Sequence, residues 1–266
     1  MWHLIFCLTV MRIASWNVNS AKARQDHILD FLKAGTTDVL LIQETKTQDP
    51  NFPENLYTDI GWNVVFHGQK SYNGVAIAAR HPISDVMIGL PGDDEDEQAR
   101  YMEASIGGVR VATIYLPNGN PAPGPKFDYK LAWMNRLTAR ATTLLKDEMP
   151  VVLAGDFNVI PQDIDCYDPP GWEGDALTRP ESRAAFFSLA NLGYTDALRA
   201  CHPGQVVYSY WDYQAGAWQK DNGVRIDHLM LSPEAADRLV MADVDKAPRG
   251  LEKPSDHTPV WVELRD

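Results

Sequence analysis

Cysteine is scarce in this chain: Cys7, Cys166 and Cys201 are its three, widely spaced and forming no CxxC pair. That pattern argues against a disulfide framework and a zinc knuckle, and suits a reducing cytoplasm. Long apolar runs are missing too. None approaches the ~20 residues that a membrane-spanning helix needs, so no membrane partner is expected. Basic residues are outnumbered, 24 against 36 acids, for a net charge of −12. Broad attachment to nucleic acid needs Lys and Arg on phosphates, and this deficit weighs against it. An excess of carboxylates instead suits a cation-using enzyme with a local basic rim. The sequence also lacks GxSxG, P-loop, GxGxxG and HExxH patterns, so the chemistries tied to those motifs have no support.

What is present is the material of a globular protein. With 266 residues, 45% hydrophobic and 23% charged, the chain is long enough to bury roughly three-quarters of its unfolded surface. Short β-branched and aliphatic runs recur throughout. They predict strands at 12–18, 38–43, 63–67, 74–79, 101–106, 110–116, 151–154, 225–231 and 258–264. Two helices are readable. In one, Ile28, Phe31 and Leu32 form an apolar stripe that Gly35 is placed to end. In the other, Trp133, Leu137, Ala141, Leu144 and Leu145 face inward. Its basic pairs, Lys126 with Lys130 and Arg136 with Arg140, read as solvated surface. So does the acidic run Asp93 to Glu97. Many strands follow one another with only turns between them, which favours packed sheets flanked by helices over a regular βαβ winding. No repeat or low-complexity linker divides the chain. Residues 1–10 read as an N-terminal extension without the basic start and cleavage site of a signal peptide, and residues 11–266 as one catalytic domain. Nothing signals oligomerisation, so a monomer is expected.

The informative feature is a set of polar residues at the ends of apolar strands. Val39 to Ile42 reads as a strand buried on both faces, and it runs directly into Gln43-Glu44-Thr45-Lys46. A Glu joined so tightly to a buried strand is held rigidly, as a metal ligand must be. Val151 to Ala154 runs into Gly155-Asp156-Phe157-Asn158, where Asp156 and Asn158 face one spot while Phe157 packs behind. An Asx-type turn that merely ends the strand is an equal alternative at this point. In Arg225-Ile226-Asp227-His228-Leu229-Met230-Leu231, alternation sets Asp227 on the apolar face of Leu229 and Leu231. A carboxylate there needs a partner, and Ser255-Asp256-His257 later supplies a histidine that Asp227 would orient. His228, on the opposite face, reads as structural. Asn17 and Asn19 close the first strand, and Tyr115-Leu116-Pro117-Asn118-Gly119 puts a phenol and an amide at the rim of another.

Taken in order, Asn17, Gln43 to Lys46, Tyr115 to Gly119, Gly155 to Asn158, Arg225 to Asp227 and Ser255 to His257 resemble the motifs of the exonuclease III family. Those enzymes are abasic-site endonucleases and 3′ exonucleases within the endonuclease/exonuclease/phosphatase superfamily. The resemblance runs from Met11 to about Arg265. The segment from Tyr208 to Tyr213 and the run Glu252-Lys253-Pro254 also look like this branch. The fold implied is an α/β four-layer sandwich of DNase I type, with two mixed β-sheets packed face to face and helices outside.

The resemblance also implies roles. Glu44 would hold Mg²⁺, with Mn²⁺ as a substitute, and Asn17 and Asp256 would lie close by. Asp156 would orient or deprotonate the attacking water, and Asn158 would position it or the phosphate. His257, supported by Asp227, would contact the scissile phosphate, with Tyr115, Asn118 and Lys46 adding contacts. Arg100 reads as structural. Trp211, Val224 and Ile226 would form an apolar pocket for a flipped sugar or an unstacked terminal nucleotide. Val224 is smaller than the residue often found there, which implies a roomier pocket. Asn19 replaces an Asp that some members carry near the metal. The implied substrate is double-stranded DNA, abasic or with damaged 3′ ends, and the implied task is base excision repair. The competing readings are a non-specific DNase, a phosphodiesterase for inositol phosphates or sphingomyelin on the same fold, and an inactive nucleic-acid-binding module.

Overall fold

A computed structural model describes residues 10–266. Of the expected N-terminal extension, positions 1–9 lie outside the described residues, and Val10 already belongs to the first strand. Twelve strands form two six-stranded sheets. In chain order they are β1 (Val10–Asn17), β2 (Val39–Gln43), β3 (Asn63–His67), β4 (Val75–Ala79), β5 (Ser84–Ile88), β6 (Tyr101–Ile106), β7 (Val109–Tyr115), β8 (Val151–Asp156), β9 (Thr195–Asp196), β10 (Asp227–Leu231), β11 (Leu239–Val244) and β12 (Val260–Arg265). The first sheet runs β11-β12-β1-β2-β4-β3 and the second β5-β6-β7-β8-β10-β9. Each mixes one parallel pairing, β1 with β2 and β7 with β8, into an otherwise antiparallel ladder.

Period-two alternation makes the layers. Ile13, Leu41, Ile77 and Val262 from one sheet meet Ala104, Val111, Val152 and Leu229 from the other in the central core. The intervening residues point outward. Trp16, Leu40, Ile42 and Ala78 pack under α1 (Gln25–Lys33) and α2 (Glu54–Thr58). Ala112, Ile114, Leu153 and Met230 pack under α3 (Pro125–Leu144) and α4 (Pro180–Leu192). Every strand near the sheet centres is therefore apolar on both faces, each large side chain contributing about 1.5–3 kcal/mol by leaving water. Short helix α5 (Ala197–Cys201) packs against β11 of the first sheet and β10 of the second, and α6 (Pro233–Ala236) against β8 and β10. This is the expected four-layer sandwich. Gly35 follows α1 with φ 77°, as its place in the sequence predicts.

All nine predicted strands are present, with ends moved by a residue or two. The three missed, β5, β9 and β11, are all edge strands. Their residues are half-exposed or exposed for most of their length, so they carry little alternation to read.

Two surface expectations fail. Lys130 is fully buried. Arg140 and Arg110 converge on the buried carboxylate of Glu103, which also accepts from the Tyr101 hydroxyl. Arg136 binds Asp96 at 2.7 Å, and Tyr129 donates to the same carboxylate. The basic face of α3 thus packs against acids from distant segments, and Asp96 is anchored within an otherwise exposed acidic run. Among the described residues no helix is long and apolar enough to cross a membrane.

Candidate active site

The cleft lies where the strand ends of both sheets meet. Sheet pairing sets its floor: Tyr115 is the parallel partner of Asp156 across β7 and β8, and Asp156 is the antiparallel partner of Asp227 across β8 and β10. Three functional groups therefore sit in one row at the end of the second sheet. The first sheet contributes Asn17 at the end of β1 and Glu44 just beyond β2. Below them Gln43 donates to Ser15 Oγ at 3.0 Å and to Thr113 Oγ1 at 2.9 Å, which ties the sheets together under the site.

The chain bends sharply at these ends. Glu44, Lys46 and Asn158 adopt left-handed conformations, with φ of 54°, 52° and 47°. Such conformations are uncommon for residues other than glycine and concentrate at functional sites. At Gly155 a Cβ would stand 1.9 Å from the Ile114 carbonyl oxygen. Only glycine lets β8 lie this close to β7 and aim Asp156 into the cleft.

Asn17 is the bridge between the sheets. Its Nδ2 donates to Glu44 Oε1 at 2.9 Å and to Asp156 Oδ2 at 3.0 Å. Its Oδ1 accepts from the Asn19 backbone at 3.0 Å. Asn17 thus lies beside Glu44 as expected, its amide nitrogen aligning two carboxylates while its oxygen receives the Asn19 backbone N–H. Lys46 Nζ lies 2.9 Å from Glu44 Oε2 and 2.5 Å from Asn19 Oδ1. Burial works to raise the Glu44 pKa, but the hydrogen bonds from Lys46 and Asn17 outweigh it and hold the carboxyl below its ordinary range.

His257 stands between two carboxylates. Its Nδ1 lies 2.8 Å from Asp227 Oδ2 and its Nε2 3.7 Å from Asp156 Oδ2. Ser209 Oγ donates to the same Asp227 oxygen at 2.6 Å and accepts from the Asp227 backbone N–H. The imidazole thus has a fixed orientation, with its proton on the nitrogen facing Asp227. Burial opposes the charged ring, yet Asp227 and Asp156 overcome that and raise its pKa to about 10. Burial, with the charges of Asp227 and Glu44 adding to it, pushes Asp156 up to about 7 against the pull of His257. Tyr115, raised by burial and by the charges of Glu44 and Asp156, keeps its phenolic proton. His228 meets its structural expectation: buried against Phe157 and Phe186, it bonds the Val159 carbonyl, and burial lowers its pKa to about 4.

On the far side, Asn118 Nδ2 donates to Asn158 Oδ1 at 3.0 Å, and Asn158 Nδ2 donates to the Leu116 carbonyl at 2.9 Å. Asn158 lines the cleft, but its amide is engaged at both ends in joining two loops. The buried Lys130 completes that joint. Its Nζ donates to the carbonyls of Asn118 at 3.0 Å and Asn158 at 2.5 Å. Lys130→Met is expected to leave both carbonyls unpaired and let the Asn118 loop drift, lowering kcat roughly 10- to 100-fold with little change in KM. Steady-state kinetics on one labelled duplex checks this, and an unchanged kcat would remove Lys130 from the site's support.

Glu44, Tyr115, Asn118, Asp156, Asn158, Ile226, Asp256 and His257 all line one cavity of about 280 Å³. Glu44, Asp156 and His257 present potential ligand atoms within 4.8 Å of one another. Asp256 borders that trio without joining it, and its Oδ1 accepts from Asn19 Nδ2 at 3.0 Å. The donor set fits a hard cation, with carboxylate oxygens from Glu44 and Asp156; the charged ring of His257 has no lone pair to offer. Arg100 is structural as expected, donating to the Tyr115 carbonyl and lying over its ring.

Trp211 does not line the cavity. It is fully buried between Tyr208 and Trp218, and its Nε1 donates to Asp221. The aromatic walls are instead Tyr210, its ring 5.0 Å from that of His257, and Trp172. Sequence reasoning singled out the neighbour of the residue that lines the cleft, because both lie in one aromatic segment and only pairing decides which ring faces it. It also missed Ser209, Lys130 and Trp172. Ser209 had a signal in its place beside Tyr210; Trp172, in a loop without periodicity, had none.

A cleft that sets an elevated carboxyl, a charged imidazole and a fixed phenol around a cation-binding acid defines a hydrolase of phosphate esters. The model of the endonuclease/exonuclease/phosphatase family matches residues 14–257. Exodeoxyribonuclease III of Haemophilus influenzae is 30% identical, covering 96% of this chain and 100% of that one. A 3′-5′ exonuclease from Neisseria meningitidis superimposes with a TM-score of 0.94 at 40% identity, covering 96% of this chain and 99% of that structure. An AP endonuclease from Archaeoglobus fulgidus gives 0.91 at 36%, covering 95% and 98%. The chain belongs to the endonuclease/exonuclease/phosphatase family, in its exonuclease III branch.

Proposed function

We propose that this enzyme is a repair nuclease that hydrolyses DNA phosphodiester bonds with Mg²⁺, incising 5′ to abasic sites and trimming 3′ ends in base excision repair. The observation that carries this reading is the placing of Asp156 between the Asn17–Glu44 bridge and the charged His257. Asp156, with its pKa near neutrality, takes the proton of the attacking water. His257 is already protonated at neutral pH, so it stabilises charge on the phosphate rather than accepting a proton. Tyr115 donates to a non-bridging oxygen. The Mg²⁺, held by Glu44 with Asp156 nearby, would supply further charge neutralisation at the phosphate.

DNA as the substrate is favoured by a second feature. Beside Lys46 a groove of about 520 Å³ is lined by Lys22, Lys46 and Lys70 and by no acid, in a chain of net charge −12. It is the local basic rim that a phosphate backbone requires. The relatives named for exonuclease and AP endonuclease action point the same way. The protein is taken to act as a monomer in the cytoplasm.

The test is cleavage of an end-labelled duplex carrying one abasic site, beside an intact duplex. Incision 5′ to the lesion, abolished by EDTA and by Glu44→Ala, is expected. Equal cutting of the intact duplex would make the enzyme a non-specific DNase. No cutting of either by folded protein would overturn the repair reading and favour inositol phosphate or phospholipid esters.

A further inference from the structure

The wall of the catalytic cavity holds an acid that no step of the proposed chemistry uses. Asp175 lines it together with Asn118 and Asn120. A carboxylate there repels an incoming phosphate, so its presence calls for a role. It stands outside the cation-binding group, which among the described residues is Glu44, Asp156 and His257. Its oxygens are already filled by donors. Oδ1 accepts from the Leu177 N–H at 2.8 Å, and both oxygens lie 3.1 Å from Asn120 Nδ2.

Those contacts begin a chain of amides that crosses between two loops. Asn120 lies between β7 and α3, and Asp175 lies between β8 and α4, three residues after Trp172. The Asn120 side chain is fixed at both ends, since its Nδ2 donates to Asp175 and its Oδ1 accepts from the Ala176 N–H at 3.1 Å. Its other Nδ2 hydrogen goes to Asn118 Oδ1 at 3.0 Å, and its backbone N–H reaches the same oxygen at 3.2 Å. Asn118 is thereby held with its oxygen toward Asn120 and its Nδ2 toward Asn158 Oδ1, 3.0 Å away. That bond takes one Nδ2 hydrogen and leaves the other for the cavity.

Direction matters in such a chain. A carboxamide has nearly the same shape either way round, but one orientation offers a phosphate a donor and the other an oxygen that repels it. Amides alone could run either way. Here the Leu177 N–H pins an acceptor at Asp175 Oδ1, and a carboxylate has no hydrogen to give. Asn120 must meet it with nitrogen, and Asn118 in turn meets Asn120 with oxygen. We propose that Asp175 is a positioning residue: acting through Asn120, it sets the direction of this relay, so that Asn118 presents an N–H to the substrate phosphate. The inference rests on the proposed nuclease function, in which a phosphate enters this cavity. Burial lowers the Lys130 pKa to about 7, and the charges of Asp156 and Asp175 work against it. That influence belongs to the charge of Asp175, whereas the relay needs only its acceptor.

The experiment measures kcat/KM of the full-length protein in Mg²⁺ on a duplex with one abasic site, beside an intact duplex. Asp175→Ala and Asn120→Ala each lower it roughly tenfold, the scale of a misplaced contact. Asp175→Asn recovers most of the loss, because it removes the charge but keeps the acceptor that Leu177 pins. In an Asn118→Ala background neither Asp175→Ala nor Asn120→Ala has a further effect, since the group that they direct is gone. Melting curves show whether each variant is folded, and Asn120→Ala carries the comparison if Asp175→Ala is not. An unchanged kcat/KM in either folded alanine variant overturns the inference and leaves the function standing. So does an Asp175→Asn variant as impaired as Asp175→Ala, which would assign the effect to charge, and so do losses that multiply with that of Asn118→Ala. Native protein that cuts neither duplex overturns the function, and the inference falls with it.

Discussion

Asp156→Asn lowers kcat on an abasic duplex by about 10²–10⁴-fold, the usual worth of a positioned general base, while the protein stays folded. The substitution keeps the shape of the side chain and one of its two accepted hydrogen bonds, since an amide has a single oxygen to receive the Asn17 Nδ2–H or the Asn158 backbone N–H. What it removes is the ability to take a proton, in a group that burial has tuned to about 7. It also relieves an energetic conflict: Asp156, Asp227 and Glu44 crowd one another, and two of these raise the Asp156 pKa after burial has done so. Thermal stability is therefore expected to hold as activity collapses, the relieved repulsion offsetting the lost hydrogen bond. Single-turnover cleavage beside a melting curve measures both. Normal turnover in the variant would mean that another group activates the water.

His257→Ala is the second large effect, a loss of about 10²–10³-fold in kcat, comparable with removal of a transition-state hydrogen-bond donor. Asp227→Ala falls less, because Asp227 acts on the phosphate only through the ring it orients. The pH dependence separates the two roles. The native ring is held protonated to about pH 10 by Asp227 and Asp156 acting against burial, so activity is retained through neutral pH and declines as pH rises through that value. Asp227→Asn keeps a hydrogen-bonding side chain but removes the charge, and its alkaline limb moves to lower pH. Stability follows the same sign. A histidine with a raised folded-state pKa contributes fully below its ordinary value and loses that contribution as pH rises through the folded one. An alkaline limb that stays in place in Asp227→Asn would show that His257 is not the group observed.

Much of this was legible in the residues themselves. Nine strands could be read because a strand apolar on both faces, or alternating strictly, needs nothing beyond its own sequence to declare itself. The same alternation put Asp227 on the inner face with Leu229 and His228 on the outer one, and both are found there. The candidate acids and His257 were legible because a polar group at the tight end of a buried strand has no packing reason to be there.

Three of the four edge strands, β5, β9 and β11, were not, since their exposed and half-exposed residues have no periodicity that packing would impose. Other roles required the assembled molecule. Lys130 and Arg140 read as surface because a helix sequence shows which residues share a face but not what stands opposite; here Asn118, Asn158 and Glu103 do. The bridge that Asn17 makes between Glu44 and Asp156 was hidden because a sequence cannot say which groups an amide will meet. Trp211 was named in place of Tyr210 because adjacent aromatics in a loop are told apart only by the bridge that Tyr210 makes to Val224 and His257. The sequence by itself determined the elements, their buried faces and the set of chemical groups, since these follow from local periodicity. Partner identity, amide orientation and the ring that meets the cleft were decided only by tertiary structure, because each depends on contacts between segments far apart in the chain.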